Sequence, residues 1–365
     1  MALVITAHSV PSLYKTIPGR VSACWRSMLR LSRPRYHTRL HFDSSSSPSR
    51  RRSMVTTRSR NYGQVPQSEN QDTPPETLTE RRLRWSTLVR QQHYHPVISE
   101  VLDEELPKYQ SSTVIDATDR VSHMRECALI LASAPQVFAA AVDGNLVSRM
   151  LRDTDLQREY AVIQQRAHEQ PSIYIQLLAD DRGIAPTPAQ YMVLRDMVLN
   201  YLAEGQKSEH AWDLDNMTPP TVTVAASAQG HRKYLHTTTR SSKRVETLHR
   251  LCEGIQRRFL ETADAMHGTP FQFPPGECGY ARNSHTRLAQ HRAHQSSNYL
   301  LNLFEDIATR LHRTGRFVQH FRMHQFIIYL IFRPRQAAIA EIFCSGLLQV
   351  WVENGGGFNA YVGLE

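Results

Sequence analysis

The 365-residue chain has few of the features that announce a function. Its five cysteines stand apart at positions 24, 127, 252, 278 and 344. None forms a CxxC, which excludes a zinc ribbon, and the spacing offers no disulfide framework. Isolated buried thiols in a reducing compartment are expected instead. GxSxG, P-loop and GxGxxG patterns are missing, so the usual glycine-built nucleophile and phosphate turns are not present. No run of about 20 apolar residues occurs, so no transmembrane segment is expected. No apolar signal-type stretch lies near Met1, which argues against secretion.

Acidic residues are almost absent from the first 63 positions. Lys15 and eleven arginines there face one acid, Asp43, giving +11, whereas the whole chain carries +9. The remaining 302 residues are therefore near neutral at −2. The basic total cannot by itself argue that the folded part binds phosphates. Within that remainder the charge is polarised, −9 over residues 64–215 and +7 over 216–365. Two complementary lobes, or one domain with opposed faces, would carry such a pattern.

Residues 1–63 resemble a mitochondrial presequence, rich in Arg and Ser and poor in acids. Val21, Cys24, Trp25, Met28 and Leu29 make one apolar helical stripe opposite Ser22, Arg26, Arg30 and Arg33. Arg60-Asn61-Tyr62 resembles a matrix-processing site with a cut before Gly63. A mitochondrial matrix location is expected, with a nuclear or cytoplasmic protein carrying a basic tail as the alternative. Residues 64–76 are polar and linker-like.

From residue 77 the periodicity is helical. Thr77 with Glu80 matches a capping box. Pro96 opens a segment carrying Val97, Ile98, Val101 and Leu102. Further helical patterns cover Val121–Leu131, Val137–Ala141 and Leu146–Leu151, and Tyr191, Leu194, Met197, Val198 and Tyr201 make an amphipathic face. Residues 171–205 resemble one pentatricopeptide unit, with Ile173–Leu178 in its first helix, but no second copy exists to stack on it.

Residues 213–245 break the pattern. Thr221-Val222-Thr223-Val224 reads as a short strand, followed by a tract whose cations are Arg232, Lys233, Arg240, Lys243 and Arg244. This tract is expected to be an exposed linker, and those five residues are the candidates for nucleic-acid contact, with Tyr234 placed to stack on a base. Leu248, Leu251, Ile255, Phe259 and Leu260 then mark a helix, and the apolar loop 268–279 must pack against the domain.

Three C-terminal helices are expected, over about 284–314, 317–332 and 334–352, the last ending at Gly355–Gly357. The second and third are apolar nearly all round, as central core helices or a peripheral membrane contact would be. In the first two, His291 and His294 stand at i,i+3 and His320 and His324 at i,i+4, so each pair shares a helix face. Facing histidine pairs are how bundle metal sites are built, and iron or zinc is the metal this set would take. These spacings resemble those of membrane di-iron hydroxylases, but adjacent histidines and long membrane spans are absent, which excludes that family.

The expected fold is mostly all-α: a helical bundle or helical array, as one body or as two lobes joined by an irregular segment with one short strand. The divisions are a leader 1–63, a linker 64–76, an acidic helical lobe 77–212, a basic linker 213–245, a basic His-rich lobe 246–357 and a tail 358–365. With no convincing catalytic constellation, the expected function is a non-catalytic mitochondrial interaction or assembly protein with a protein partner and no cofactor. The alternatives are a His-ligated metalloenzyme acting on a small or lipid-like molecule, and an RNA-binding protein.

Overall fold

The computed structural model describes residues 76–113, 115–203, 208–217, 232–237, 239–295 and 298–360. The chain divides into two compact units, Met1–Asn70 and Gln71–Glu365, and all described residues belong to the second. The leader, most of the linker 64–76, and the proposed strand Thr221–Val224 lie outside the described residues.

Twelve helices surround one small sheet among the described residues, so the chain is mostly helical. Helices α1 (Leu78–Arg90), α2 (Tyr94–Glu105), α3 (Arg120–Ala132), α4 (Gln136–Val142), α5 (Leu146–Met150) and α6 (Thr154–Arg166) precede strand β1 (Ser172–Ala179). Helices α7 (Pro188–Leu202), α8 (Glu209–Met217) and α9 (Ser242–Leu260) lead to β2 (Gly276–Ala281). Then come α10 (Ser284–Arg292), α11 (Tyr299–Arg313), β3 (Arg322–Leu330) and α12 (Gln336–Leu347). The Thr77 capping box acts as the sequence implies, and the structure adds a second one at Thr187. Thr77 Oγ1 accepts from Glu80 N while Glu80 returns to Thr77 N, and Thr187 with Gln190 does the same for α7.

The sheet is where the helical expectation fails. Ile173–Leu178 and most of 317–332 are not helices but strands β1 and β3, paired antiparallel in the order β2-β1-β3. All eight residues of β1 are buried. A strand covered on both faces loses the alternation that marks a half-buried one, and its apolar run then passes for a core helix. The expected helix 284–314 is also two helices, since Asn298 starts α11 by accepting from Leu300 N and Leu301 N.

Two apolar clusters form the core. One joins α2, α3, α4, α6 and α12 to the sheet; the other joins α7, α8, α9 and α11 around Tyr191, Phe304 and Phe358. Residues 351–360 are part of the structure rather than a loose end. Gly276 donates to Gly356 O, Phe358 donates to Gly276 O, and Phe358 is buried. A Cβ on Gly357 would stand 1.9 Å from Gly276 O, so only glycine permits this approach. No single described helix is long and apolar enough to cross a membrane.

A buried polar network locks α7, α8 and the 232–235 turn. Asp215 accepts from Tyr201 Oη at 2.6 Å, Arg232 N at 3.0 Å and Lys233 N at 2.9 Å. Lys233 Nζ lies 3.5 Å from Asp306, which also accepts from Tyr234 Oη. Removing one buried acceptor strands its donors, each at a cost of about 1–3 kcal/mol. Asp215→Ala should therefore lose about 3 kcal/mol in urea unfolding; a change within experimental error would show that the network carries little stability.

Candidate functional site

The proposed histidine quartet does not converge. His324 sits on β3 and donates to Asp180 O at 3.1 Å, and His320 lies before the strand, stacked on His312 and 3.2 Å from Thr309 Oγ1. His294 pairs with Glu305 at 3.2 Å, and His291 points at Tyr174. His320 and His324 share no helix face, because the segment that carries them is not helical. Among the described residues no three His, Cys, Asp or Glu side chains group to hold a metal ion, so the iron or zinc site has no geometry to rest on.

The five basic candidates separate as well. Arg232 and Lys233 are only 3% and 5% exposed and serve the buried network, with Arg232 Nε donating to Tyr201 O at 2.7 Å. The Arg232 guanidinium also donates to Ala203 O at 3.2 Å and the Lys233 ammonium meets Asp306, so both side chains are spent inside the fold. Arg240 and Lys243 are exposed, and Arg244 is half-buried over the Tyr299 ring, 4.5 Å from its centroid.

Lys243 and Arg244 instead line a cavity of about 470 Å³ that sequence reasoning did not find. β1 supplies Tyr174, β2 supplies Glu277 and Gly279, α10 supplies Arg287 and α12 supplies Glu341. Each is placed by a local device. Tyr174 pairs in register with Gly279, where a Cβ would stand 2.5 Å from the phenol oxygen, so the glycine clears room for it. Asn283 Oδ1 caps α10 by accepting from Thr286 N, and Ser284 Oγ meets Ser172 Oγ at 2.6 Å, pinning the helix start to β1. Arg287 and His291, four residues apart on α10, therefore share the face toward Tyr174.

The outer edge of β2 is closed by side chains. Asn359 accepts from Cys278 N at 2.9 Å and donates to Cys278 O at 2.8 Å. Its amide also reaches Ser345 Oγ at 3.2 Å, tying β2 to α12. Glu341 accepts from the Tyr280 amide further along the same edge.

Burial sets the protonation states. It pushes Glu277 up to about 6, against the hydrogen bonds from Asn298 and Gln176 and the charge of Arg287. Burial raises Glu341 too, opposed by the Tyr280 amide and Arg287. Tyr174 is raised by burial and by the Glu277 charge, while a hydrogen bond with Arg287 works the other way. His291 falls to about 4 through burial and Arg287. The 4.0 Å contact of His291 Nε2 with Glu277 is therefore not an ion pair at neutral pH. A neutral imidazole instead stands 3.3 Å from the Tyr174 hydroxyl.

A larger hollow of about 800 Å³ between α2 and α3 lacks such chemistry, since Arg120 there pairs with Asp103 at 2.6 Å. One signal for the pocket was present in the sequence. Glu341 is the lone charge in the apolar run Ile339–Val352, and a carboxylate so placed points to function more often than an exposed one does. No family model, curated protein or solved structure matches this chain.

Glu277 also makes the fold pH-dependent. Its folded pKa of about 6 exceeds the ordinary 4.5. The group therefore adds stability below pH 4.5 that is lost as the pH rises through 6. The shift corresponds to about 2 kcal/mol. Wild type should lose about that much relative to Glu277→Gln between pH 4.5 and pH 7 in urea titrations; parallel pH profiles would contradict the burial of an ionising carboxylate.

Proposed function

We propose that the Tyr174–Arg287–Glu341 pocket hydrolyses phosphate esters in a nucleic-acid strand. The observation that carries this reading is the union, in one cavity, of three cations with a carboxylate and a phenol that touches a neutral imidazole. Guanidinium groups match phosphate oxygens with two parallel hydrogen bonds, so Arg287 holds the reacting phosphate, while Arg244 and Lys243 hold its neighbours along the strand. A pocket meant only to bind an anion gains nothing from the Glu341 carboxylate beside it. A hydrolytic one needs a group to move protons and a group to balance developing charge.

A divalent cation, if the reaction uses one, would be held by Glu341 together with substrate phosphate oxygens, as Mg²⁺ is held by one or two carboxylates plus phosphate, and it would supply neutralisation of charge at phosphorus. The rest falls to the chain's own groups. Water adds to phosphorus and the ester P–O bond breaks. The water's proton passes by way of the Tyr174 hydroxyl to His291 Nε2, and the leaving oxygen is protonated from solvent. His291 suits the acceptor role because burial keeps it neutral.

This reading takes up the nucleic-acid alternative from the sequence, keeping Lys243 and Arg244 and giving up Arg232 and Lys233. It displaces the non-catalytic interaction role as the one the geometry favours. The presequence-like leader supports a mitochondrial setting for it.

Full-length protein should cleave labelled single strands in the presence of Mg²⁺. Arg287→Ala and Glu341→Gln should each slow cleavage by about 100-fold while leaving thermal unfolding within a few degrees of wild type. No cleavage by wild type, or variants as fast as wild type, would overturn the assignment.

A further inference from the structure

The face of the sheet that carries Glu277 holds a hydrogen-bond chain running across all three strands. Gln325 on β3 and Glu277 on β2 both lie in register with Gln176 on β1. Arg292 Nη1 donates to Gln325 Oε1 at 2.8 Å, and Gln325 Nε2 donates to Gln176 Oε1 at 2.8 Å. Gln176 Nε2 donates to Glu277 Oε2, and Asn298 Nδ2 donates to Glu277 Oε1 at 2.8 Å.

The direction of this chain is not arbitrary. A guanidinium can only donate, so Gln325 must turn its oxygen to Arg292 and its amide to Gln176. Gln176 must then turn its own amide to Glu277. Both Glu277 oxygens are thereby held as acceptors, with Asn298 fixing the second. Glu277 is 7% exposed and lines the cavity.

Each Glu277 oxygen accepts one of these bonds and keeps a lone pair; His291 Nε2 lies 4.0 Å away, beyond hydrogen-bond reach, and the nearby Arg287 charge favours the ionised carboxylate. A second phosphate would be repelled by Glu277, whereas a hydroxyl adjoining the bound phosphate would donate to it. Structural burial alone does not account for a carboxylate at this position, because an apolar residue on β2 would avoid its desolvation.

We propose that Glu277 is a specificity-determining residue that accepts a hydrogen bond from the ribose 2′-hydroxyl beside the scissile phosphate, so that the strand this pocket takes is RNA. The 2′-hydroxyl is the donor by which a protein tells RNA from DNA at one site. A site built to pair a hydroxyl rejects an analogue lacking it far more strongly than an apolar site would, because the buried polar group is left without its partner. The inference rests on the hydrolytic reading above.

The test compares kcat/KM of the full-length protein on one RNA strand, the matched DNA strand, and the RNA carrying a single 2′-O-methyl group at the cleaved position. RNA should be preferred over DNA by about 100-fold, and the methylated strand, which keeps the oxygen but loses the donor, should resemble DNA at that position. Glu277→Ala should bring the RNA and DNA values together, mainly through a raised KM for RNA. Equal cleavage of RNA and DNA by wild type, or a preference that survives Glu277→Ala, would overturn the role of Glu277 and leave the hydrolytic reading intact. Cleavage of neither strand would remove both.

Discussion

The pairing of β1 with β2 is the constraint on which the pocket depends. It aligns Tyr174 with Gly279 and Gln176 with Glu277. One register step either way would carry every one of these side chains to the opposite face. Nothing in the cavity survives that change. The strands come from distant parts of the chain, so the pairing also joins the acidic segment before residue 213 to the basic segment after 245. Charge polarity along the sequence thus ends inside one sheet and its flanking helices.

Around that pairing the polar groups are arranged by what each can and cannot donate. Asn359 supplies an amide to the free edge of β2 where a fourth strand would otherwise stand, and the same side chain reaches α12. Glu341 takes the next edge amide and so is held at the cavity wall. Buried edges need such partners, because an unpaired backbone amide costs as much as a lost hydrogen bond. The groups that satisfy the fold here are therefore the ones that also face the cavity. Burial raises Glu277 and lowers His291, so holding either of them charged on the neighbouring sheet face costs free energy.

Much of the fold was legible in the sequence, and the parts that were not share a cause. The helix after Thr77 is legible from its capping box and the one carrying Tyr191 and Tyr201 from its amphipathic spacing, because both signals are local. β1 and β3 were read as helices because Ile173–Leu178 and Phe326–Ile331 are buried on both faces, which erases the period of two. Once β3 was taken for a helix, His320 and His324 gained a shared face they do not have. Arg232 and Lys233 were placed in an exposed linker because their burial depends on Asp215 and Asp306, one of them more than seventy residues away. The pocket was invisible for the same reason. Tyr174, Glu277, Arg287 and Glu341 span more than 160 residues, and only the sheet brings them together. Glu341 alone left a trace, as a single charge in an apolar run.

The most direct measurement is a crystal structure of the Glu341→Gln variant with a phosphorothioate RNA strand that resists cleavage. The expected result is a phosphate in the cavity with its oxygens within hydrogen-bond reach of the Arg287 guanidinium and its phosphorus beside the Tyr174 hydroxyl. A strand bound elsewhere on the protein, with the cavity between β2 and α12 holding only water, would contradict the assignment.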